Sequence, residues 1–211
     1  MTRRAFSLVE IAIVLFLIVF VAMIFVPLNI SNVEQAERVA KWKNVFDESR
    51  YSFELLKAQD PSMFLDFKNN GYTNTQAFAR IKPYLNINNS KSTQEYFKDY
   101  EYTFLNGRKV SPKSIFYVND FATLESGVII GFRLDKIRHT YRNTPAAMML
   151  FDVNGLNKPN KIGKDIFGIN IYENDIKPFG EDHSCPFLKA NCSPMGTGTF
   201  CSKYYLIGGN F

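Results

Sequence analysis

The sequence has 211 residues, of which 46% are hydrophobic and 15% aromatic, and its formal net charge is +5 at pH 7. This apolar content excludes an intrinsically disordered chain, and the length allows one core of ordinary size. The sequence contains only two histidines, no phosphate-binding loop and no G-x-S-x-G nucleophile motif. We therefore expect no enzymatic activity and no required cofactor.

The first 28 residues have the most distinctive composition. A basic leader, residues 1–5, precedes an apolar stretch, residues 6–28, that only Glu10 interrupts. As a helix this stretch reaches roughly 34 Å, about the thickness of a bilayer's hydrocarbon core. Arg3 and Arg4 precede it, which orients a short N-terminus to the cytoplasm. The pattern predicts a single span of the cytoplasmic membrane, with the remaining chain outside.

The same residues carry a family resemblance. Residues 3–10 read Arg-Arg-Ala-Phe-Ser-Leu-Val-Glu and are followed by an apolar helix, which resembles the N-terminus of type IV pilin and pseudopilin precursors. Phe6 stands where that family has its first mature residue and Glu10 where it has the fifth. Pro27 follows Glu10 by 17 residues, where these helices commonly bend. Ala5 replaces the glycine that usually precedes the cut.

This resemblance implies a processed structural subunit, either a minor pilin or a pseudopilin. A prepilin peptidase would cut between Ala5 and Phe6, and Phe6 would become N-methylated. The partners would be other pilin subunits and an inner-membrane assembly platform, and the product a cell-surface or periplasmic filament for a type IV pilus, type II secretion or DNA uptake. The alternative is an uncleaved, single-pass, membrane-anchored extracytoplasmic binding module.

Glu10 has a physical role in this interpretation. A buried carboxylate is tolerated only when it is paired. The new amine of Phe6 in one subunit can neutralise Glu10 of its neighbour, which would set the register between the two.

We expect the helix to change from uniformly apolar to amphipathic after residue 28. Pro27 predicts a kink, or an end to the first regular part, near Val26. Residues 29–58 read as an amphipathic continuation, with apolar positions recurring at spacings of three and four, until Asp60-Pro61 stops the helix. Trp42, the only tryptophan, is expected to pack in a core or an interface.

Residues 59–211 read as one extracytoplasmic globular domain. Residues 74–85 predict a short helix, and five short apolar or alternating segments predict strands: 114–118, 127–134, 146–153, 166–172 and 203–207. An antiparallel meander packed on the C-terminal half of the long helix makes the predicted fold α+β, pilin-like, with a long N-terminal transmembrane and amphipathic helix.

A loop between two predicted strands is rich in oxygen-bearing side chains. Calcium prefers carboxylate and amide oxygens, so the loop predicts a calcium site. Five such side chains lie in it: Asp152, Asn154, Asn157, Asn160 and Asp165. The candidate ligands are Asp152, Asn154, Asn157 and Asp165. The spacing does not match an EF-hand. Asn, Asp and Gly also make tight turns without a metal, and neighbouring lysines disfavour a divalent ion, so both interpretations stay open.

Three cysteines, Cys185, Cys192 and Cys201, lie in the last 27 residues. An oxidising compartment favours one disulfide and leaves one thiol. Cys192–Cys201 and Cys185–Cys201 both remain open, and in the pilin family such a bridge often fastens the C-terminal loop. A zinc site that uses His183 with the cysteines is the rival interpretation.

The densest basic cluster lies between two predicted strands. It indicates either a solvated loop or a patch that contacts DNA. Its members are Arg133, Lys136, Arg138, His139, Tyr141 and Arg142.

Overall fold

The computed structural model describes residues 8–69, 71–135 and 144–210, with the side chains of 24–31, 65, 68 and 69 excepted. The predicted cleavage site at Ala5 and Phe6 lies outside the described residues, as do residues 136–142 of the basic cluster. The chain divides into two compact units, residues 1–37 and 38–211.

The longest element is helix α1, which runs from Leu8 to Gln59 over 52 residues. It continues through Pro27, so the helix does not end near Val26. It stops at Gln59 because Pro61 two positions later has no backbone N–H, and because the residue before a proline is driven out of the helical region.

No helix in the described part of the chain is long and apolar enough to cross a membrane. A helix that crosses the roughly 30 Å of a bilayer's hydrocarbon core needs about 20 consecutive, mostly apolar residues, and no helix among the described residues meets that requirement. The predicted transmembrane helix over residues 6–28 is therefore wrong, and the predicted fold class is corrected in that part. The predicted single-pass location in the cytoplasmic membrane is wrong for the same reason.

The second unit contains a five-stranded sheet, which together with the helices makes the chain α+β. The strand order follows the sequence and every neighbouring pair is antiparallel. The strands are β1 (Asp120–Thr123), β2 (Ile129–Leu134), β3 (Ala147–Asp152), β4 (Ile166–Ile171) and β5 (Ile176–Pro178).

Two predicted strands have other structures. Residues 114–116 form a bend and a turn and residues 117–118 have no regular structure, and residues 203–207 fall in or just after helix α5, Cys201–Leu206. Cys201, Ser202 and Tyr205 are the buried residues of α5. Their spacing of one and three matches one face of a helix, whereas a strand would bury alternate residues.

The described part of the second unit also contains three further α-helices. They are α2 (Met63–Asn69), α3 (Asn74–Ile81) and α4 (Cys185–Asn191). Thr73 and Gln76 form a capping box at the start of α3, which satisfies backbone N–H groups that the first turn leaves without partners. Pro83 then converts the end of the predicted helix 74–85 into a single 3-10 turn, Lys82–Tyr84.

The main core lies between α1 and one face of the sheet. Trp42 is fully buried there, as predicted. Its ring lies 5.1 Å from that of Phe167 and 6.0 Å from that of Phe151, measured between centroids. Its indole N–H donates to the carbonyl of Ser202 over 3.0 Å. This contact joins the middle of α1 to α5.

A second, smaller core covers the opposite face of the sheet. Met148 and Leu150 of β3 belong to it, together with Val118 and Phe179. Gly168 faces the ring of Phe179, where a side chain would collide with that ring. Glycine at this position therefore lets an aromatic residue pack directly on β4.

Candidate assembly surface and carboxylate loop

The first part of α1 presents the largest exposed apolar region among the described residues. We call the side chains from Leu8 to Met23, apart from Glu10, the apolar surface. Its large hydrophobic side chains are each between 50% and 85% exposed. Phe16 and Phe20, one turn apart, stack on each other with ring centroids 6.5 Å apart. An exposed apolar region of this extent marks a site of interaction with another molecule.

Glu10 is the one charged residue within this stretch of helix, and it is exposed. It lies in the first turn of α1, where the helix dipole favours a negative charge. If the apolar surface becomes buried, Glu10 becomes buried with it. A carboxylate in that setting requires a cationic or hydrogen-bonding partner.

A second candidate site is the carboxylate loop, residues 152–166, which joins β3 to β4. Asp152 pairs with Ile166 in the register of the two strands, so the two ends of the loop are adjacent. This brings Asp165, one residue before β4, close to Asp152. Both are almost fully buried, with 2% of Asp152 and 0% of Asp165 exposed.

Hydrogen bonds hold both carboxylates. Asp152 accepts the Tyr100 hydroxyl at 2.7 Å and the backbone N–H of Asn154 at 3.2 Å. Asp165 accepts the backbone N–H groups of Asn160 at 2.9 Å and Lys161 at 2.6 Å. Tyr100 lies 52 residues before Asp152, and sequence reasoning did not identify it because no local pattern links the two. These bonds fix the path of the loop.

The loop is electrostatically strained all the same. Burial raises the pKa of Asp152 well above its usual range, and the negative charge of Asp165 raises it further, against the opposing hydrogen bond from Tyr100. Burial also raises the pKa of Asp165, opposed by the N–H groups of Lys161 and Asn160 and by the charge of Arg38. A bound proton or a bound cation would relieve this repulsion.

The oxygen-bearing side chains of the loop differ in burial. Asn157 is exposed and its amide donates to the carbonyl of Asn154 at 3.0 Å, whereas Asn160 is only 3% exposed.

Buried oxygens without a hydrogen-bond partner also lie in or beside this loop. In the described part of the chain they include the side-chain oxygens of Asn154, Asn160 and Thr103. Buried polar atoms of this kind call for a water or an ion. No group of three or more His, Cys, Asp or Glu side chains suited to a metal occurs among the described residues. Two carboxylates with amide oxygens fit calcium in kind, so calcium binding stays a prediction.

The cysteines are divided between a disulfide and a free thiol. The structure pairs Cys192 with Cys201, one of the two pairings that the sequence left open, and leaves Cys185 exposed and free. The disulfide joins the end of α4 to the start of α5 and occupies both thiols. His183 instead contacts the ring of Phe200, with centroids 4.4 Å apart. The zinc interpretation therefore loses two of its proposed ligands.

The basic cluster is represented in the described residues by Arg133 alone. Its guanidinium donates to the carbonyl of Ser114 at 2.6 Å, so this arginine supports a turn in the same unit. Contact with DNA stays a prediction that concerns residues outside the described part.

No known protein family, no curated protein and no solved structure matches this chain. The resemblance to type IV pilin precursors therefore rests on the N-terminal residues alone and stays a prediction.

Proposed function

We propose that this chain is a structural subunit of a helical protein filament, of the minor pilin or pseudopilin kind. A prepilin peptidase removes residues 1–5, and the first parts of α1 from several copies then pack against one another. The role is structural, and no reaction is assigned to the chain.

The observation that carries this proposal is the apolar surface. A helix with apolar side chains on all sides is stable in water only when other protein surrounds it. Full burial of one such Leu or Phe side chain stabilises by about 1.5–3 kcal/mol. Packing many of them between copies supplies a large driving force for assembly, even after the cost of immobilising each subunit.

Glu10 gives this packing a register. Processing creates a new positively charged amine at Phe6, four residues before Glu10. When neighbouring helices are staggered so that this amine meets Glu10 of another copy, both charges are neutralised. Other staggers keep this amine and Glu10 apart, so the copies pack without the attraction between the two charges.

Processing can be tested directly by mass spectrometry. The full chain is produced in cells with and without an active prepilin peptidase, and its intact mass and N-terminal peptide are measured. The proposal expects loss of residues 1–5 and an N-methylated Phe6 only when the peptidase is active. Ala5→Gly should be cut at least as completely. An unchanged Met1 start in the presence of the enzyme would refute the proposal.

Assembly can be tested separately on the processed chain. Glu10→Gln should reduce filament yield, measured by sedimentation and electron microscopy, because the neutral amide cannot pair with the amine. Glu34→Gln is a matched control, since it removes an exposed acid further along the same helix. If both variants assembled like the unmodified chain, Glu10 would have no role in register.

A further inference from the structure

The carboxylate loop contacts the disulfide-bonded part of the chain directly. We call residues 192–201, which the bond between Cys192 and Cys201 closes, the disulfide turn. Gly163 of the loop lies so close to Gly198 of the turn that a side chain at Gly163 would collide with the Gly198 backbone and with the sulfur of Cys201. A side chain at Gly198 would collide with the carbonyl oxygen of the loop residue before Gly163. The two segments therefore pack backbone against backbone, and glycine at both positions permits this approach.

Helix α5 extends this contact. The helix begins at Cys201, and its Tyr205, which is 1% exposed, donates its hydroxyl to the carbonyl of Gly163 over 3.4 Å. Cys201 is itself 0% exposed and Cys192 is 5% exposed. The disulfide is therefore buried at the place where the turn and α5 meet the carboxylate loop.

The disulfide turn also supports a neighbouring segment that bonds to the loop. Leu105 in that segment donates its N–H to the carbonyl of Thr197 in the turn at 3.0 Å. Two residues earlier, Thr103 donates its N–H to the carbonyl of Asn160 at 3.0 Å and accepts the N–H of Ile162 at 2.8 Å. The same segment contains the tyrosine whose hydroxyl bonds the first carboxylate of the loop. The turn thus stabilises the loop both directly and through this segment.

Hydrogen bonds from Asn191 shape the turn alongside the disulfide. Its side chain donates to the hydroxyl of Thr197 at 2.9 Å and accepts the N–H of Phe200 at 3.0 Å. Each neutral hydrogen bond makes only a modest net contribution, because an open turn would bond to water instead. A disulfide restricts the open forms of the chain itself. We therefore expect loss of the disulfide to shift the turn toward open forms.

The closed loop carries an electrostatic cost that an open loop would lose. Burial raises the pKa of both Asp152 and Asp165, because the buried site disfavours their charged forms. The backbone N–H groups of Lys161 and Asn160 and the charge of Arg38 offset only part of this cost at Asp165. In an open loop, water would solvate both carboxylates. Packing against the disulfide turn must therefore help to keep the loop closed.

We propose that the Cys192–Cys201 disulfide is an oxidation latch, a bond whose formation closes the carboxylate loop. While both cysteines are thiols, the turn loosens, the loop opens and its carboxylates contact water. A disulfide-bearing oxidant then accepts two electrons and two protons from the thiols. Its own S–S bond breaks to give two thiols, and the bond between the two cysteines forms. The turn closes and the carboxylates become buried. This inference goes beyond the filament role and does not depend on processing, assembly or calcium.

Hydrogen exchange tests the latch in the full chain. Mass spectrometry compares the unmodified protein with the double variant Cys192→Ser/Cys201→Ser, using peptides that cover residues 156–166 of the loop and residues 129–134 of β2. In the double variant, exchange of the loop peptide relative to the strand peptide should be faster by about tenfold or more. Cys185→Ser is the matched control, because it removes a thiol and keeps the disulfide. It should exchange like the unmodified chain.

A second variant separates loop opening from a general loss of stability. Phe78→Ala removes a ring that stacks on Phe132 with centroids 5.1 Å apart, so it destabilises the main core and leaves the disulfide turn intact. It should speed exchange in the strand peptide at least as much as in the loop peptide. The proposal is overturned if Phe78→Ala opens the loop as selectively as the double variant does. It is also overturned if the double variant keeps the loop as protected, relative to the strand, as the unmodified chain.

Carboxylate labelling reports on the loop side chains themselves. A carbodiimide couples an amine to accessible carboxylates, and mass spectrometry locates the product. Asp165 should stay unlabelled in the unmodified chain. In the double variant it should react at a rate close to that of Asp99, which is exposed.

The unmodified chain provides the same test if the double variant does not fold. The folded protein is treated with a dithiol reductant, and free thiols, loop exchange and labelling of Asp165 are followed together. Labelling and exchange should rise in step with the appearance of the thiols of Cys192 and Cys201. An unlabelled Asp165 after both thiols have appeared would overturn the proposal.

Discussion

Two stretches of helix α1 differ sharply in how their apolar side chains are placed. In residues 8–23, nearly every side chain is apolar, and the large ones are at least half exposed. In residues 42–56, apolar and charged residues alternate at helical spacing, and Trp42 and Leu56 are 0% and 2% exposed. One continuous helix carries both stretches, so helical structure does not decide burial. The amphipathic stretch matches a single sheet face, whereas the uniformly apolar stretch has no polar side to leave in water.

The largest effect is expected where the amphipathic stretch meets the sheet. Trp42→Ala should lower the free energy of unfolding by about 3–5 kcal/mol, because it opens a cavity between Phe151 and Phe167 and removes the bond to Ser202. Chemical denaturation followed by circular dichroism measures it. A decrease of less than about 1 kcal/mol in the free energy of unfolding would mean that this stretch contributes little to the stability of the second unit.

The disulfide between Cys192 and Cys201 is expected to have the next largest effect on stability. Replacing both Cys192 and Cys201 by Ala should cost about 2–3 kcal/mol, since their disulfide closes a loop with a sequence separation of 9. Reducing agent should destabilise the unmodified chain by a similar amount. The control is Cys185→Ala, which removes the free thiol and should leave the denaturation midpoint unchanged. Equal midpoints for all three proteins would contradict the prediction.

Calcium should act on the second unit and leave the apolar surface unaffected. If the carboxylate loop binds it, millimolar calcium should raise the melting temperature by several degrees relative to a chelator. Asp165→Asn should abolish the rise. Asn157→Ala should keep it, since the Asn157 side chain is exposed while both carboxylates are buried. An unchanged melting temperature in the unmodified chain would exclude calcium.

Measuring stability as a function of pH, with a chelator present, examines the carboxylate loop without metal. The folded-state pKa of Asp152 is raised, so the folded chain holds a proton that the unfolded chain releases near pH 4. Stability should therefore fall as pH rises from about 4 through the folded-state pKa. Asp152→Asn should make the decrease of stability with rising pH smaller. Its melting temperature should therefore differ from that of the unmodified chain by a few degrees. The exposed Asp99→Asn should show the unmodified profile, and identical profiles for both variants would contradict the assignment.

The smallest effect on stability belongs to the apolar surface. Phe16→Ala in the unassembled chain should change the free energy of unfolding of the second unit by no more than about 0.5 kcal/mol, since Phe16 is 70% exposed. It should nevertheless reduce filament yield. Compared with Trp42→Ala, this variant separates a helix stretch that stabilises the subunit from one that serves assembly. If Phe16→Ala destabilised the second unit as much as Trp42→Ala does, both stretches of α1 would stabilise the subunit, and the prediction would be wrong.

Much of the sheet could be predicted from the sequence because its strands are short apolar runs between turn residues. β2, β3 and β4 fall within predicted segments for this reason. β1 and β5 were not predicted, and two predicted strands were wrong because residues with high β-propensity occupy other structures there. Tyr204 and Ile207 suggested a final strand, but the disulfide at Cys201 and the burial of Tyr205 one turn later favour a helix. Tertiary packing thus overrides local preference.

The carboxylate loop shows a different limit of sequence reasoning. Its composition indicated clustered oxygen ligands, and Asp152 and Asp165 do come together. That proximity depends on the strand register. The side-chain hydrogen bond that Asp152 accepts comes from Tyr100, which is distant in sequence. Within the loop, Asn160 adopts a positive φ of 48°. Backbone conformation of this kind has only a weak signature in sequence.

The bond from Trp42 to Ser202 also dictates the order in which the domain can be completed. The meander joins each strand to the next one in sequence, so hairpins can form while the chain is still being synthesised. Trp42 must wait for its carbonyl acceptor 160 residues later. A ribosome-bound chain that has not yet exposed α5 therefore holds its only tryptophan without its final cover.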